Sequence, residues 1–291
     1  MRCIIEWAIF IPRVYKLHLL EDSWIENDVF RSMRVKEIIQ KLSGQVHFTR
    51  MYFGEEFCER AIPSFQDVQK GSEVALNYGL EFTLVTPYVT ERGLGRLRKI
   101  FSGLLELGRQ CEVIINDWGV LHLLSREYPD FIPVIGRQLN KAWRDPRCKN
   151  SAIPLTSLES EVMKNILKEK QANRIELDIP PQGLENLAIE DYELSLYFPY
   201  SIITSGRMCL IGSWGYDKSD KRIWLILFKN LILTWSLRHL FLMMDVFLRR
   251  PIVLPIMHLA ELFVIIQNGF INCMIQLEKW NKIILILFPV I

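Results

Sequence analysis

Two cysteines and three carboxylates stand directly after runs of strand-forming residues in this chain of 291 residues. Cys58 follows Tyr52-Phe53-Gly54-Glu55-Glu56-Phe57, Asp117 follows Glu112-Val113-Ile114-Ile115-Asn116, and Cys209 closes Gly206-Arg207-Met208. A thiolate at the carboxyl end of a strand is a nucleophile or a metal ligand, held where an α/β protein presents its reactive groups. Glu55, Glu56 and Asp117 at the same rim are candidate general bases or ligands for a metal ion. His47 lies inside a strand pattern, and neither His-Glu-x-x-His nor Gly-x-Ser-x-Gly occurs, so His47 and His122 read as structural. Asp117 has a second reading, as the cap of a helix that begins at Val120.

A basic run, Arg137, Lys141, Arg144, Arg147 and Lys149 with Trp143 among them, follows the apolar stretch from Phe131 to Gly136. Charge interleaved with an aromatic ring suits a phosphate-bearing or RNA substrate, which makes Arg137, Arg144 and Arg147 candidate substrate-binding residues. The competing reading is a solvated loop.

The elements that must position these residues alternate along the chain. Helical spacing over 34–43 ends at Gly44, and 46–53 reads as a strand. The step repeats as a helix over 65–78, Gly79 and a strand over 81–85, then as a helix over 94–107, Gly108 and a strand over 111–116. A short helix over 120–126, a strand over 131–136, a helix over 158–170 and strands at 174–178 and from 194 follow. Strands alternating with helices at this interval imply a parallel sheet. The expectation is α/β: an incomplete (β/α) barrel over residues 1–222, with a doubly wound open sheet as the competitor. No Gly-rich phosphate loop follows the first strand, which favours the barrel.

Composition narrows the classes. Half of the residues are hydrophobic, enough for a sizeable core, and 35 basic against 33 acidic residues leave a net charge of only +2. Global charge therefore gives no argument for nucleic acid, membrane or acidic partners. Six widely separated cysteines read as reduced thiols in a cytosol. The apolar stretch over 4–12 is broken by Glu6 and lacks an export pattern.

From residue 223 to 291 the only acidic residues are Asp245, Glu261 and Glu278. This tail reads as an apolar, mostly helical extension. A membrane segment is a second reading, weakened because the uncharged run 262–277 is short and carries Gln267, Asn268, Asn272 and Gln276. The leading reading of its origin is the translation of a shifted reading frame, ahead of a genuine helical extension and of a membrane segment.

The span from about residue 45 to 221 resembles the peptidase U32 family. The resemblance rests on Tyr52-Phe53-Gly54-Glu55-Glu56-Phe57-Cys58-Glu59-Arg60, on Asn116-Asp117-Trp118-Gly119, and on Tyr197-Phe198-Pro199-Tyr200 leading to Arg207-Met208-Cys209. It implies a barrel whose intact relatives carry out oxygen-independent hydroxylation of a quinone precursor or RNA base with a 4Fe-4S cluster. Cys58 and Cys209 then fall at the early ligand and the first late ligand. The closely spaced later pair is missing, since only Cys273 follows, and Cys111 and Cys148 match no ligand position. The cluster is accordingly expected to be incomplete or absent and this copy defective. The alternative within the family is a collagenase-like peptidase that uses Glu55, Glu56 and Asp117 and has no need of Cys58. The implied partners are a second protein of the family and RNA or a small quinone precursor, with a membrane reached only through the tail.

Overall fold

Short runs rich in β-branched and aromatic residues set the strands. Among the residues described by the computed structural model, 4–21, 40, 46–140, 156–178, 192–198 and 282–287, eight strands form. They are β1 (Ile4–Ile11), β2 (Phe48–Gly54), β3 (Glu81–Val85), β4 (Glu112–Ile115), β5 (Ile132–Ile135), β6 (Arg174–Asp178), β7 (Glu193–Phe198) and β8 (Lys282–Leu287). Each pairs in parallel with the next, and β8 also pairs with β1, so the ring closes in chain order. All described residues fall in one unit of the chain.

Seven strands lie within residues 1–222, as the alternation implies, apart from β1, which the sequence presents only as an apolar stretch. The eighth corrects the sequence reading. Lys282–Leu287, assigned to an apolar helical tail, is a strand whose residues pair with Leu194–Phe198 on one side and Ile4–Ile9 on the other. The rest of the tail and the helix expected over 34–43, except residue 40, lie outside the described residues. Among the described residues no helix is long and apolar enough to cross a membrane.

Helices α1 (Phe65–Asn77), α2 (Glu91–Glu106), α3 (Trp118–Glu127), the single turn α4 (Arg137–Asn140) and α5 (Glu161–Glu169) fill the crossovers. The first two end before Gly79 and Gly108, at the expected stops. At its start α1 carries a reciprocal cap, with the Asp67 amide donating to Ser64 Oγ at 3.1 Å and the Ser64 amide donating to Asp67 Oδ2 at 3.2 Å. In α2 the buried Gly93, Leu97, Ile100, Phe101 and Leu104 recur at helical spacing and pack on the sheet.

Alternation along each strand separates two cores. Outward residues such as Ile9, Met51, Phe53, Val113 and Ile175 pack under the helices. Inward residues, among them Phe10, Tyr52, Ile114, Val134 and Tyr197, fill the barrel. The same inward face carries charge near the amino-terminal ends of the strands. There Glu112 pairs with both Arg50 and Arg174, and Arg50 also reaches Glu81 and, at 3.1 Å, Thr83 Oγ1. This network ties β2, β3, β4 and β6 together and leaves the opposite end for the candidate site.

Candidate active site

The carboxyl-terminal mouth is built by the first residues after β2, β3, β4 and β5 and the last residues of β6 and β7. β2 ends at Gly54, whose φ of +133° is open to glycine alone, and a side chain there would strike the backbone of Val85. The chain therefore folds tightly over β3, where the Glu55 amide donates to the Val85 carbonyl at 3.2 Å, before Glu56 turns inward.

Glu55 and Glu56 part company at this turn. Glu55 accepts from the amides of Phe57 and Cys58 at 3.1 and 3.3 Å and pairs with Arg13 at 2.8 Å. Its carboxylate shapes the loop. Glu56 is buried and receives Arg137 Nε at 2.6 Å and Nη2 at 2.7 Å, a two-point contact, while Arg137 Nη1 donates to Asp178 Oδ1 at 2.7 Å. The guanidinium carbon of Arg137 lies 3.5 Å from the centre of the Tyr197 ring and 5.9 Å from that of Phe57. Beneath it, Tyr197 donates its hydroxyl to Glu176 Oε2 at 2.9 Å.

Arg137, a candidate substrate-binding residue from the sequence, thus departs from the competing reading of its basic run as a solvated loop. It opens α4, and all four side chains of that turn are buried. The turn is locked by neighbouring strand ends. Gly136 leaves room for Asn116, which accepts from the Gln138 amide at 3.2 Å and donates to the Thr86 carbonyl at 2.8 Å. Asn140 donates to the Glu176 carbonyl at 3.1 Å, and Tyr88 donates to the Gln138 carbonyl at 2.7 Å. Arg144 and Arg147 lie outside the described residues.

Burial governs the electrostatics. It pushes the Glu56 carboxyl above its ordinary range, against the pull of Arg137. It pushes Glu176 up to about 8, helped by the Glu56 charge and opposed by Arg174, Tyr197 and Arg137. Tyr197 is raised well above a normal phenol by burial and then by Glu176 and Glu56. Burial acts against the charge on Arg137, but Glu56 and Asp178 outweigh it and hold the guanidinium more firmly protonated than in water.

Asp117 is a helix cap, the second of its two sequence readings. Its Oδ1 accepts from the Gly119 amide at 2.7 Å and its Oδ2 from the Val89 amide at 3.3 Å, joining the loops after β3 and β4. Cys58 is exposed on the rim, two residues past Glu56. Cys209 lies outside the described residues. Cys111 precedes β4 at the other end of the barrel, and burial pushes its thiol up to about 12.

A cubane cluster takes four thiolates, and the described part of the mouth supplies Cys58. Among the described residues no group of three or more His, Cys, Asp or Glu is placed to hold a metal ion. These residues do not by themselves make a cluster site.

Asp178, Tyr197, Glu176 and Gln138 are site residues that sequence reasoning missed. One signal was present. Arg174, Glu176 and Asp178 occupy alternate positions of a single strand, which places three charges on its inward face.

No family model matches the chain, and no curated protein matches it. Among solved structures, the U32 peptidase Mk0906 is similar at 14% sequence identity, with a TM-score of 0.41 over 68% of this chain and 70% of that one.

Proposed function

We propose that this chain is a U32-type barrel hydrolase that cleaves an amide bond at its carboxyl-terminal mouth, with Glu56, Arg137 and Asp178 as the working centre. One observation carries the reading: Arg137 is clamped by two carboxylates at the end of a barrel where such folds keep their chemistry. A guanidinium has five N–H donors, and three of those of Arg137 are engaged, by Glu56 and Asp178. The remaining two, fixed in direction by the clamp, are suited to polarise a substrate carbonyl and to stabilise the oxyanion formed on it. Glu56, raised by burial, has the basicity to take a proton from attacking water and returns it to the amide nitrogen as the C–N bond breaks, which leaves a carboxylic acid and an amine. Phe57 is the outer wall of this centre, 39% exposed, and substrate reaches Arg137 as that ring turns aside.

The test is cleavage of a gelatin-like peptide. Glu56→Gln is expected to lower turnover by about 100-fold or more, in the range of lost general-base catalysis, while Cys58→Ser cleaves normally. Unchanged cleavage by Glu56→Gln, or a wild type that cleaves no such peptide, overturns the reading.

A second reading, cluster-dependent hydroxylation of a quinone precursor or RNA base, draws on the exposure of Cys58 at the same rim. It requires a brown iron chromophore in anaerobically prepared protein that disappears in Cys58→Ser.

A further inference from the structure

The barrel interior holds an uneven set of charges. The guanidiniums of Arg50, Arg137 and Arg174 are all buried. They face four carboxyls withdrawn from water: Glu56, Asp178, Glu176 and Glu112, the last 15% exposed. Glu81 also meets Arg50 but is 67% exposed and solvated. Three of the four are paired, Glu56 and Asp178 with Arg137, and Glu112 with both Arg50 and Arg174. Among the described residues Glu176 takes no guanidinium hydrogen bond. Its Oε2 accepts from Tyr197 and its buried Oε1 has no partner.

We propose that Glu176 is a neutral carboxylic acid stored inside the barrel below Arg137, and that through Tyr197 it positions that guanidinium. Among the described residues each of the three guanidiniums is already engaged by another carboxylate, Arg137 by Glu56 and Asp178, and Arg50 and Arg174 by Glu112. A fourth carboxylate would be a buried charge without a counterion, and such a group takes up a proton because the desolvation cost of remaining ionised is far larger. The proton belongs on Glu176 rather than Glu56, because both oxygens of Glu56 already accept from Arg137.

The neighbours of Glu176 agree with this assignment. On its own strand are Arg174 and Asp178, and from β2 and the turn after it come Tyr52 and Glu56. Arg137 comes from α4, and Tyr197 and Ser195 from β7. Ser195 is the cross-strand partner of Glu176, and its Oγ is the other buried oxygen nearby without a hydrogen bond. A protonated Oε1 has a hydrogen to donate, and one bridging water to Ser195 would satisfy both groups. On the opposite side, the Tyr197 hydroxyl bound to Oε2 fixes the ring, and its centre supports Arg137 at 3.5 Å. Glu176 is therefore a positioning residue: it reaches Arg137 through a ring and does not itself contact substrate.

The inference holds whether or not the mouth cleaves amides, and its test reads no activity. Infrared difference spectra of the full chain should show a protonated-carboxyl C=O band at neutral pH. The band should be absent in Glu176→Gln, lost from the wild type with a midpoint near pH 8, and lost at a lower pH in Glu56→Gln, which removes a charge that raises Glu176. In Tyr197→Phe the band should shift as its hydrogen bond disappears. Thermal melting supplies an independent reading. Between the ordinary carboxyl value of 4.5 and about 8, unfolded wild type releases a proton that folded wild type keeps. Wild type should lose stability relative to Glu176→Gln across that window and run parallel to it outside. A band that survives Glu176→Gln and vanishes in Glu56→Gln overturns the assignment. So does a wild type with no such band, or a band unmoved in Tyr197→Phe.

Discussion

Arg137 and Glu56 meet through two hydrogen bonds of 2.6 and 2.7 Å although 81 positions separate them in the chain. Both side chains are almost fully buried, so the pair is desolvated and its strength depends on the partners remaining together. Asp178, at the end of β6, takes a third guanidinium donor and stops the arginine from turning.

Arg137→Met should therefore destabilise the fold by about 3–5 kcal/mol, because it removes the guanidinium that holds the buried carboxylates of Glu56 and Asp178. Urea denaturation measures the loss. Adding Glu56→Gln to Arg137→Met should recover part of it, whereas strictly additive losses would show that the two residues are not coupled.

The two roles available to Asp117 separate by substitution. As a cap it is replaceable by Asn, whose single carbonyl oxygen keeps the hydrogen bond from the Gly119 amide and gives up that from Val89, while Asp117→Ala should cost about 0.5–2 kcal/mol. Peptide cleavage should survive Asp117→Asn. A variant that melts normally yet cleaves nothing would return Asp117 to the catalytic group.

Thiol reactivity should separate the ends of the barrel. Cys58 is exposed, and Cys111 is buried with its thiol pushed up to about 12. Under native conditions a brief pulse of iodoacetamide should alkylate Cys58 and spare Cys111 until denaturant is added, as read by peptide mass spectrometry. Rapid native labelling of Cys111 would contradict the packing of β4.

The network at the amino-terminal ends should govern acid stability. Burial pushes Glu112 up, but Arg174 and Arg50 outweigh it and hold the carboxyl below its ordinary value. A depressed carboxyl contributes its stabilisation above the unfolded value of 4.5 and loses it as pH falls through the folded value. The melting temperature of wild type should therefore fall on acidification below about pH 4.5. Glu112→Gln should be less stable at neutral pH and should show a shallower acid slope. Equal slopes would remove Glu112 from the account.

Legibility in the sequence follows the range of the interaction. The stops before Gly79 and Gly108 and the cap at Asp117 are readable because each depends on residues a few positions away. The ends of the ring are not. A short apolar run such as Ile4–Ile11 or Lys282–Leu287 has the same composition whether it forms a strand, a buried helix or a tail, and only its neighbours decide. Glu55 and Glu56 look equivalent in sequence, yet the turn at Gly54 directs one to Arg13 and the other to Arg137.

By itself the chain's sequence determined the alternation of strands and helices, and hence which residues follow strands and come to a common rim. Periodicity and turn chemistry act locally, so they are written in consecutive residues. Tertiary structure alone decided that Arg137 is buried, that Asp178 and Tyr197 join it, and that Glu176 stands beneath with no guanidinium partner among the described residues. Those outcomes depend on desolvation and charge balance among strands distant in the chain, and these exist only once the barrel closes.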